Sequence, residues 1–299
     1  MIETPSIQWF PGHMAKTRRI MRDSMRFVDV VVELIDARIP ISSRNPEIDR
    51  MIGRKPRIVL LNKSDAADDR ITKQWCGYFQ EKGIPVLAAD CRSGKGLGGF
   101  LSLLRRTLKD EIKRRKLKGM EGQPIRMMIV GIPNVGKSSF INRMAKSKRT
   151  KVADRPGVTR GKQWVTLDKG LELLDMPGVL WPKFENKTVG EHLAFTGAVR
   201  DDILDTELLA MRLVLQLKER YGQLLADRYK LTEEDLDTDD AYELLQRIGK
   251  RRGMLVPGGE VDTERAAIIV LDEFRASKIG RVTLETPDDI ERFEADANE

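Results

Sequence analysis

Short apolar runs alternate with stretches of helical period along most of the chain, and then the apolar runs stop. Val28 to Ile35, Arg57 to Leu61 and Ile84 to Ala89 read as buried strands. Between and after them, Pro46 to Ile52, Asp68 to Lys82 and Leu97 to Lys116 carry the period of helices. A break at Gly119 to Pro124 precedes a further strand, Ile125 to Val130. Gln163 to Leu167 and Leu171 to Leu174 then read as a hairpin turning at Asp168-Lys169-Gly170. Beyond about Lys183 only amphipathic helices are predicted, over Asp205 to Tyr221, Asp239 to Arg252 and Thr263 to Ser277. The pattern predicts an α/β domain over residues 1–185, with a mostly parallel sheet and helices on both faces. An all-helical C-terminal domain over residues 186–299 follows.

Chemistry enters where strands end. Gly131-Ile132-Pro133-Asn134-Val135-Gly136-Lys137-Ser138 has the GxxxxGKS form of a phosphate loop, after a predicted strand and before a helix. The expected phosphate contacts are Asn134, Val135, Gly136, Lys137, Ser138 and Ser139, with the Ser138 hydroxyl on Mg²⁺. Asp175-Met176-Pro177-Gly178 fits DxxG. Asp175 would hold Mg²⁺ through water, and the Gly178 amide would sense a γ-phosphate. Thr159, within Arg155 to Thr159, is the candidate second hydroxyl on the metal. Where many such sites place a water-orienting glutamine, the chain has Val179, which cannot polarise water.

Asn62-Lys63-Ser64-Asp65 has the form NKxD at the end of a strand. A carboxylate at Asp65 can accept both N1–H and N2–H₂ of guanine, and adenine offers no such donor pair; a helix N-cap at Ser64 or Asp65 is the plainer alternative. Asp90 and Cys91, ending the next strand, are the candidate second base-contacting loop. In the usual order of such domains the phosphate loop precedes the base-reading motif. Here it follows, so the sheet is expected to be the ordinary one with its chain cut and rejoined elsewhere.

Charge narrows the partners. The 299 residues carry a net +7, yet residues 285–299 hold seven acids against the single base Arg292, which leaves +13 on residues 1–284. Basic clusters at Lys113 to Lys118, Lys146 to Lys151 and Arg247 to Arg252 favour a polyanion. The acidic stretch 285–299 reads as a tail. Two cysteines without metal-ligand spacing, no membrane-length apolar run and no secretory pattern in Met1 to Gly12 point to a cytoplasmic protein with no membrane partner.

Trp9-Phe10-Pro11-Gly12-His13-Met14, Asp36-Ala37-Arg38-Ile39-Pro40, NKxD, GIPNVGKS, PGVTR and DMPG stand in the order seen in circularly permuted GTPases. Over its whole length the chain resembles the ribosome biogenesis GTPase A group. The resemblance implies GTP and GDP as ligands, Mg²⁺ as cofactor, and the large (50S) ribosomal subunit precursor, its rRNA and its ribosomal proteins as partners. It also implies a role in late maturation of that subunit, with docking in the GTP state and release after hydrolysis. The chain is expected to act as a monomer. The family's proposed catalytic histidine corresponds to His13, which on its own residues reads first as a capping or packing side chain at the start of a Met14 to Met25 helix. In potassium-activated GTPases an asparagine at the Asn134 position coordinates the ion; an ordinary loop side chain bonded to its own backbone is the alternative. A small-molecule phosphotransferase and a constitutive RNA-binding scaffold with a structural nucleotide site are the rival classes.

Overall fold

The computed structural model describes residues 7, 9–120, 122–146, 164–168, 170–184 and 186–296. The strands are β1 (Val30–Asp36), β2 (Arg57–Asn62), β3 (Val86–Ala88), β4 (Ile125–Val130), β5 (Trp164–Asp168) and β6 (Leu171–Asp175). They form one sheet in the order β3-β2-β1-β4-β6-β5, parallel except for the antiparallel β5–β6 hairpin at one edge. All seven residues of β1 are buried: the strand pairs on both edges, with β2 and with β4, and its side chains enter two hydrophobic clusters. The apolar run therefore carries no alternation. Glu33, within it, faces Arg44 at 3.6 Å and Arg57 at 3.5 Å, and burial pushes its carboxyl up.

Moving residues 1–120 to the far side of β6 would restore the conventional motif order without altering one strand pairing. That is what a circular permutation means physically. The carboxyl ends of β1, β2, β3, β4 and β6 all lie at the same edge, where ligands bind in open sheets of this kind.

Among the described residues, these helices accompany the strands: α1 (Gly12–Ser24), α2 (Pro46–Ile52), α3 (Asp69–Glu81), α4 (Phe100–Thr107), α5 (Lys109–Leu117) and α6 (Lys137–Lys146). α3 starts where Asp68 accepts from the Arg70 and Ile71 amides, and it buries Ile71, Trp75 and Phe79. The single helix expected over Leu97 to Lys116 is two. The chain turns at Leu108, which is buried; α4 buries Phe100, Leu103 and Leu104, whereas α5 buries nothing. With no apolar face in its Lys- and Arg-rich sequence, α5 has no packing to keep it in line with α4.

From residue 187 onward the elements are helical: α7 (Lys187–Phe195), α8 (Thr206–Tyr229), α9 (Glu233–Leu236), α10 (Ala241–Arg251), α11 (Thr263–Arg275) and α12 (Ile290–Asp296). α8 packs against α10 and α11. It runs eight residues past the expected end at Tyr221, bending there rather than stopping (φ −141°, ψ 37°). The Tyr221 hydroxyl donates to Thr283 O at 3.0 Å and accepts from Thr283 N at 3.0 Å, and Leu225 and Tyr229 beyond the bend are buried.

The stretch read as an acidic tail does not begin as one. Residues 281–285 cross the sheet's ligand edge: Val282 N donates to Ala66 O, Leu284 N to Arg38 O, and Arg281 to Ser64 O, Ala67 O and Asp69. Glu285 is fully buried, accepting from Ser42 and Ile41 and meeting His192 Nδ1 at 2.7 Å, while its own carbonyl accepts from Trp75 Nε1. Its charge marks a junction between the sheet and the helices, and charge counting could not distinguish that from a solvated tail.

Candidate nucleotide-binding site

Gly131 to Gly136 forms the turn between β4 and α6, with Gly131, Asn134 and Gly136 at positive φ. A side chain at Gly136 would collide with the Asn62 amide, so the glycine is required by that approach as much as by its φ of +103°. Lys137 opens α6 and is buried. Its Nζ donates to Ile132 O at 2.8 Å and Gly131 O at 3.2 Å, inside the loop it would neutralise. Burial lowers its pKa to about 8, with Asp175 opposing. Ser138 is exposed in the first turn of α6, and Ser139 is half-buried beside it.

Asp175 ends β6 next to β4, and its side chain is exposed; burial raises its pKa, with Lys137 opposing. The following turn lies on the phosphate loop. A Cβ at Gly178 would stand 2.6 Å from Pro133 N and 2.9 Å from Lys137 Nζ, and Val179 N donates to Gly131 O at 3.3 Å. Val179 itself is buried, so its side chain serves the core. The exposed Ser138 hydroxyl and Asp175 carboxylate are hard oxygen donors at the mouth of an anion-binding turn. They fit Mg²⁺, which keeps several waters and takes few protein ligands beside substrate phosphates. Bound there, the ion would neutralise charge on the phosphates. Thr159 lies outside the described residues.

The base-reading loops are bonded to the phosphate loop and to each other. Asn62 uses both ends of its amide: Nδ2 donates to Val135 O at 2.7 Å, and Oδ1 accepts from Cys91 N at 2.9 Å. It is a strut joining three loops. The Cys91 amide is held by that strut, and the Cys91 thiol is buried, its pKa pushed up to about 12 by burial and then by Asp90. Asp90 accepts from the Arg92 and Ser93 amides at 2.8 and 3.2 Å, so its carboxylate shapes its own loop. Ser64 contributes its backbone, donating to Ala89 O. Asp65 keeps an accessible carboxylate, 3.8 Å from the exposed Arg92, as a base reader requires.

One carboxylate that motif reasoning left without a role helps to organise the site. Asp36, at the end of β1, receives a bidentate contact from Arg38 (2.9 and 2.8 Å) and the Lys63 ammonium at 3.0 Å. Burial opposes its charge, but the two cations outweigh burial and hold the carboxyl well below the usual carboxylate range. Lys63 is thereby fixed at φ +59°, its own pKa lowered by burial against the pull of Asp36. A carboxylate at the end of the buried central strand was the available signal. Asn134 sits at φ +56° in the phosphate loop. Its Nδ2 donates to Gly197 O at 2.6 Å, tying the phosphate loop to the turn after α7.

His13 is exposed at the start of α1, and its imidazole makes no hydrogen bond among the described residues; Met14 beside it is buried. His192 packs and bridges, its Nε2 3.0 Å from Gln216 Oε1. A cleft of about 490 Å³ is lined by Lys63, Asn134, Gly197, Arg200 and Arg275, together with Arg38, Asp201 and Asp202.

Phosphate loop, DxxG turn and NKxD strand at one sheet edge, in permuted order, define a circularly permuted GTPase. A family described as 50S ribosome-binding GTPase matches residues 126–240, beginning at the phosphate-loop strand. The chain is 50% identical to ribosome biogenesis GTPase A of Priestia megaterium, covering 96% of this chain and 99% of that one. It is 47% identical to the same protein of Bacillus cereus, with 95% of each chain covered. The GDP-bound structure of TM YlqF superposes with a TM-score of 0.63 at 29% identity, covering 91% of this chain and 100% of that one. The chain belongs to the ribosome biogenesis GTPase A family and hydrolyses GTP.

Proposed function

We propose that the protein acts late in maturation of the large (50S) ribosomal subunit, docking on its precursor with GTP bound and leaving after hydrolysis. The Asn134–Gly197 hydrogen bond carries this reading, because it joins the loop that holds the phosphates to the helical part of the chain. The basic surface, α5 included, meets rRNA and ribosomal proteins, and the helices over residues 186–299 form the RNA-facing domain. The protein works as a monomer in the cytoplasm; among the described residues no helix is long and apolar enough to cross a membrane.

In this reading Asp65 accepts the guanine N–H pair, the amides of Asn134 to Ser139 cradle the phosphates, and Gly178 senses the γ-phosphate. Ser138, Asp175 and Thr159 hold Mg²⁺. The subunit stimulates hydrolysis by bringing the exposed His13 to the attacking water, the role that buried Val179 cannot fill. K⁺ at Asn134 adds charge beside the phosphates; equal rates in potassium and sodium buffers would refute that part. Sedimentation with 50S subunits tests the cycle: co-sedimentation with a non-hydrolysable GTP analogue but not with GDP is expected, and indifference to the nucleotide overturns it. His13→Ala should lower subunit-stimulated turnover and leave GTP affinity near normal.

A further inference from the structure

The cleft beside Lys63 and Asn134 is lined by four cations and by the carboxylates Asp201 and Asp202, and the cations are not equally committed. Arg38 and Lys63 share the buried Asp36 carboxylate. Arg275 is tied down by Asp201 through two contacts of 2.7 Å and by the Phe195 and Ala194 carbonyls at 3.1 and 2.9 Å, and its side chain is only 21% exposed. Arg200 differs. Its described partner is Asp202, two residues along, at 3.0 and 2.7 Å, and the two side chains are 67% and 56% exposed.

An ion pair that open to water is worth little, because solvent screens it and both side chains lose freedom in forming it. A nucleotide polyphosphate offers more negative charge than one carboxylate, and a guanidinium matches phosphate oxygens in a bidentate fork. Arg200 is therefore the cation of this cleft that a phosphate can recruit without breaking a buried network. Its location fits the role. It stands three residues after Gly197, whose carbonyl is bonded to Asn134 of the phosphate loop at 2.6 Å, and it lines one cleft with Asn134 and Lys63.

We propose that Arg200, from the helical part of the chain, leaves Asp202 to bind the phosphates of the guanine nucleotide in this cleft. The turn Gly197 to Asp202 thus becomes the outer wall of the nucleotide site, and nucleotide occupancy is transmitted to α8 through a residue outside every GTPase motif. The inference rests on the nucleotide lying between Lys63 and the phosphate loop.

Competition titrations of GDP, GTP and guanosine on the full chain, at fixed potassium and magnesium, test it. Arg200→Ala is expected to weaken GDP and GTP about ten-fold, the loss typical of one charge-assisted hydrogen bond, and to leave guanosine unchanged. Arg200→Lys should recover part of the loss. Asp202→Asn, which releases the guanidinium, should tighten GDP about two- to five-fold, and the double variant should match Arg200→Ala alone. Unchanged GDP affinity in Arg200→Ala, equal weakening of GDP and guanosine, or weaker GDP binding in Asp202→Asn overturns the proposal. Lys137→Ala reports separately on the site: if GDP binding survives it, the nucleotide lies elsewhere and the site reading fails, whatever Arg200 does.

Discussion

Asn62 donates its side-chain amide to the Val135 carbonyl at 2.7 Å, so the residue that opens the base-reading motif is bonded into the phosphate loop. The same side chain accepts from Cys91 N. Base and phosphate sites are therefore built on one shared strut rather than placed side by side.

Asn62→Ala removes that strut and leaves a buried carbonyl and a buried amide without partners. Each unpaired buried group costs about 1–3 kcal/mol. The expected result is a lower Tm together with at least about ten-fold weaker binding of both GDP and GTP, read by calorimetry and fluorescent-nucleotide titration. Normal affinity at reduced Tm would show that the loops hold their shape without Asn62.

Gly178→Ala tests the contact between the DxxG turn and the phosphate loop. The new methyl would meet Pro133 N at 2.6 Å and Lys137 Nζ at 2.9 Å, and the backbone atom cannot yield as a flexible side chain would. The turn must back away, taking the Gly178 amide from the γ-phosphate position. Hydrolysis should fall by about ten- to a hundred-fold, with GDP affinity within a few-fold of the parent. Single-turnover rates measured beside GDP titration separate the two.

The strands were legible because a buried parallel sheet writes its apolar runs plainly, and Ile125–Val130 begins and ends where its pattern does. The break at Leu108 was not, since α5 has acceptable helix formers but no face to bury, and only packing reveals that. Asn62 spends its amide on the Val135 carbonyl and the Cys91 amide, and Asp90 spends its carboxylate on its own loop. A motif gives residue types at fixed spacing; it does not say which atom faces the ligand. The Asn134–Gly197 bond links residues 63 apart in sequence, and the Ser42–Glu285 pair spans 243, distances at which a pattern in sequence carries no signal.

Asp36→Asn should be more damaging than its distance from any substrate suggests. It leaves the buried Arg38 without its anion, a loss of about 3–5 kcal/mol, and the half-buried Lys63 adds less because water screens it. The folded pKa of Asp36 lies well below the unfolded value of about 3.9. Its stabilisation is thus present in full above that value and is lost as pH falls through the folded pKa. Urea unfolding should give a constant gap between parent and variant from pH 7 down to about 5, narrowing only in stronger acid. A gap that closes between pH 7 and 5 would mean that the ion pair does not stabilise the fold.

Lys137 supplies the last test, because one proton gives two opposite signs. Burial holds its pKa near about 8 when the loop is empty, and phosphate bound against it favours the charged form. Nucleotide binding above that pH must then take up a proton, and GDP affinity should fall by up to about ten-fold per pH unit. Calorimetry in buffers of different ionisation enthalpy should detect the uptake at pH 8.5 and nearly none at pH 6.5. Folding runs the other way. The unfolded chain, with an ordinary lysine near about 10.4, binds more protons between the two values, so the nucleotide-free protein gains stability there as pH rises. Comparison with Lys137→Met, which cannot titrate, isolates both effects from other groups. If the parent and the methionine variant show the same pH dependence of stability, the buried ammonium is not the group responsible.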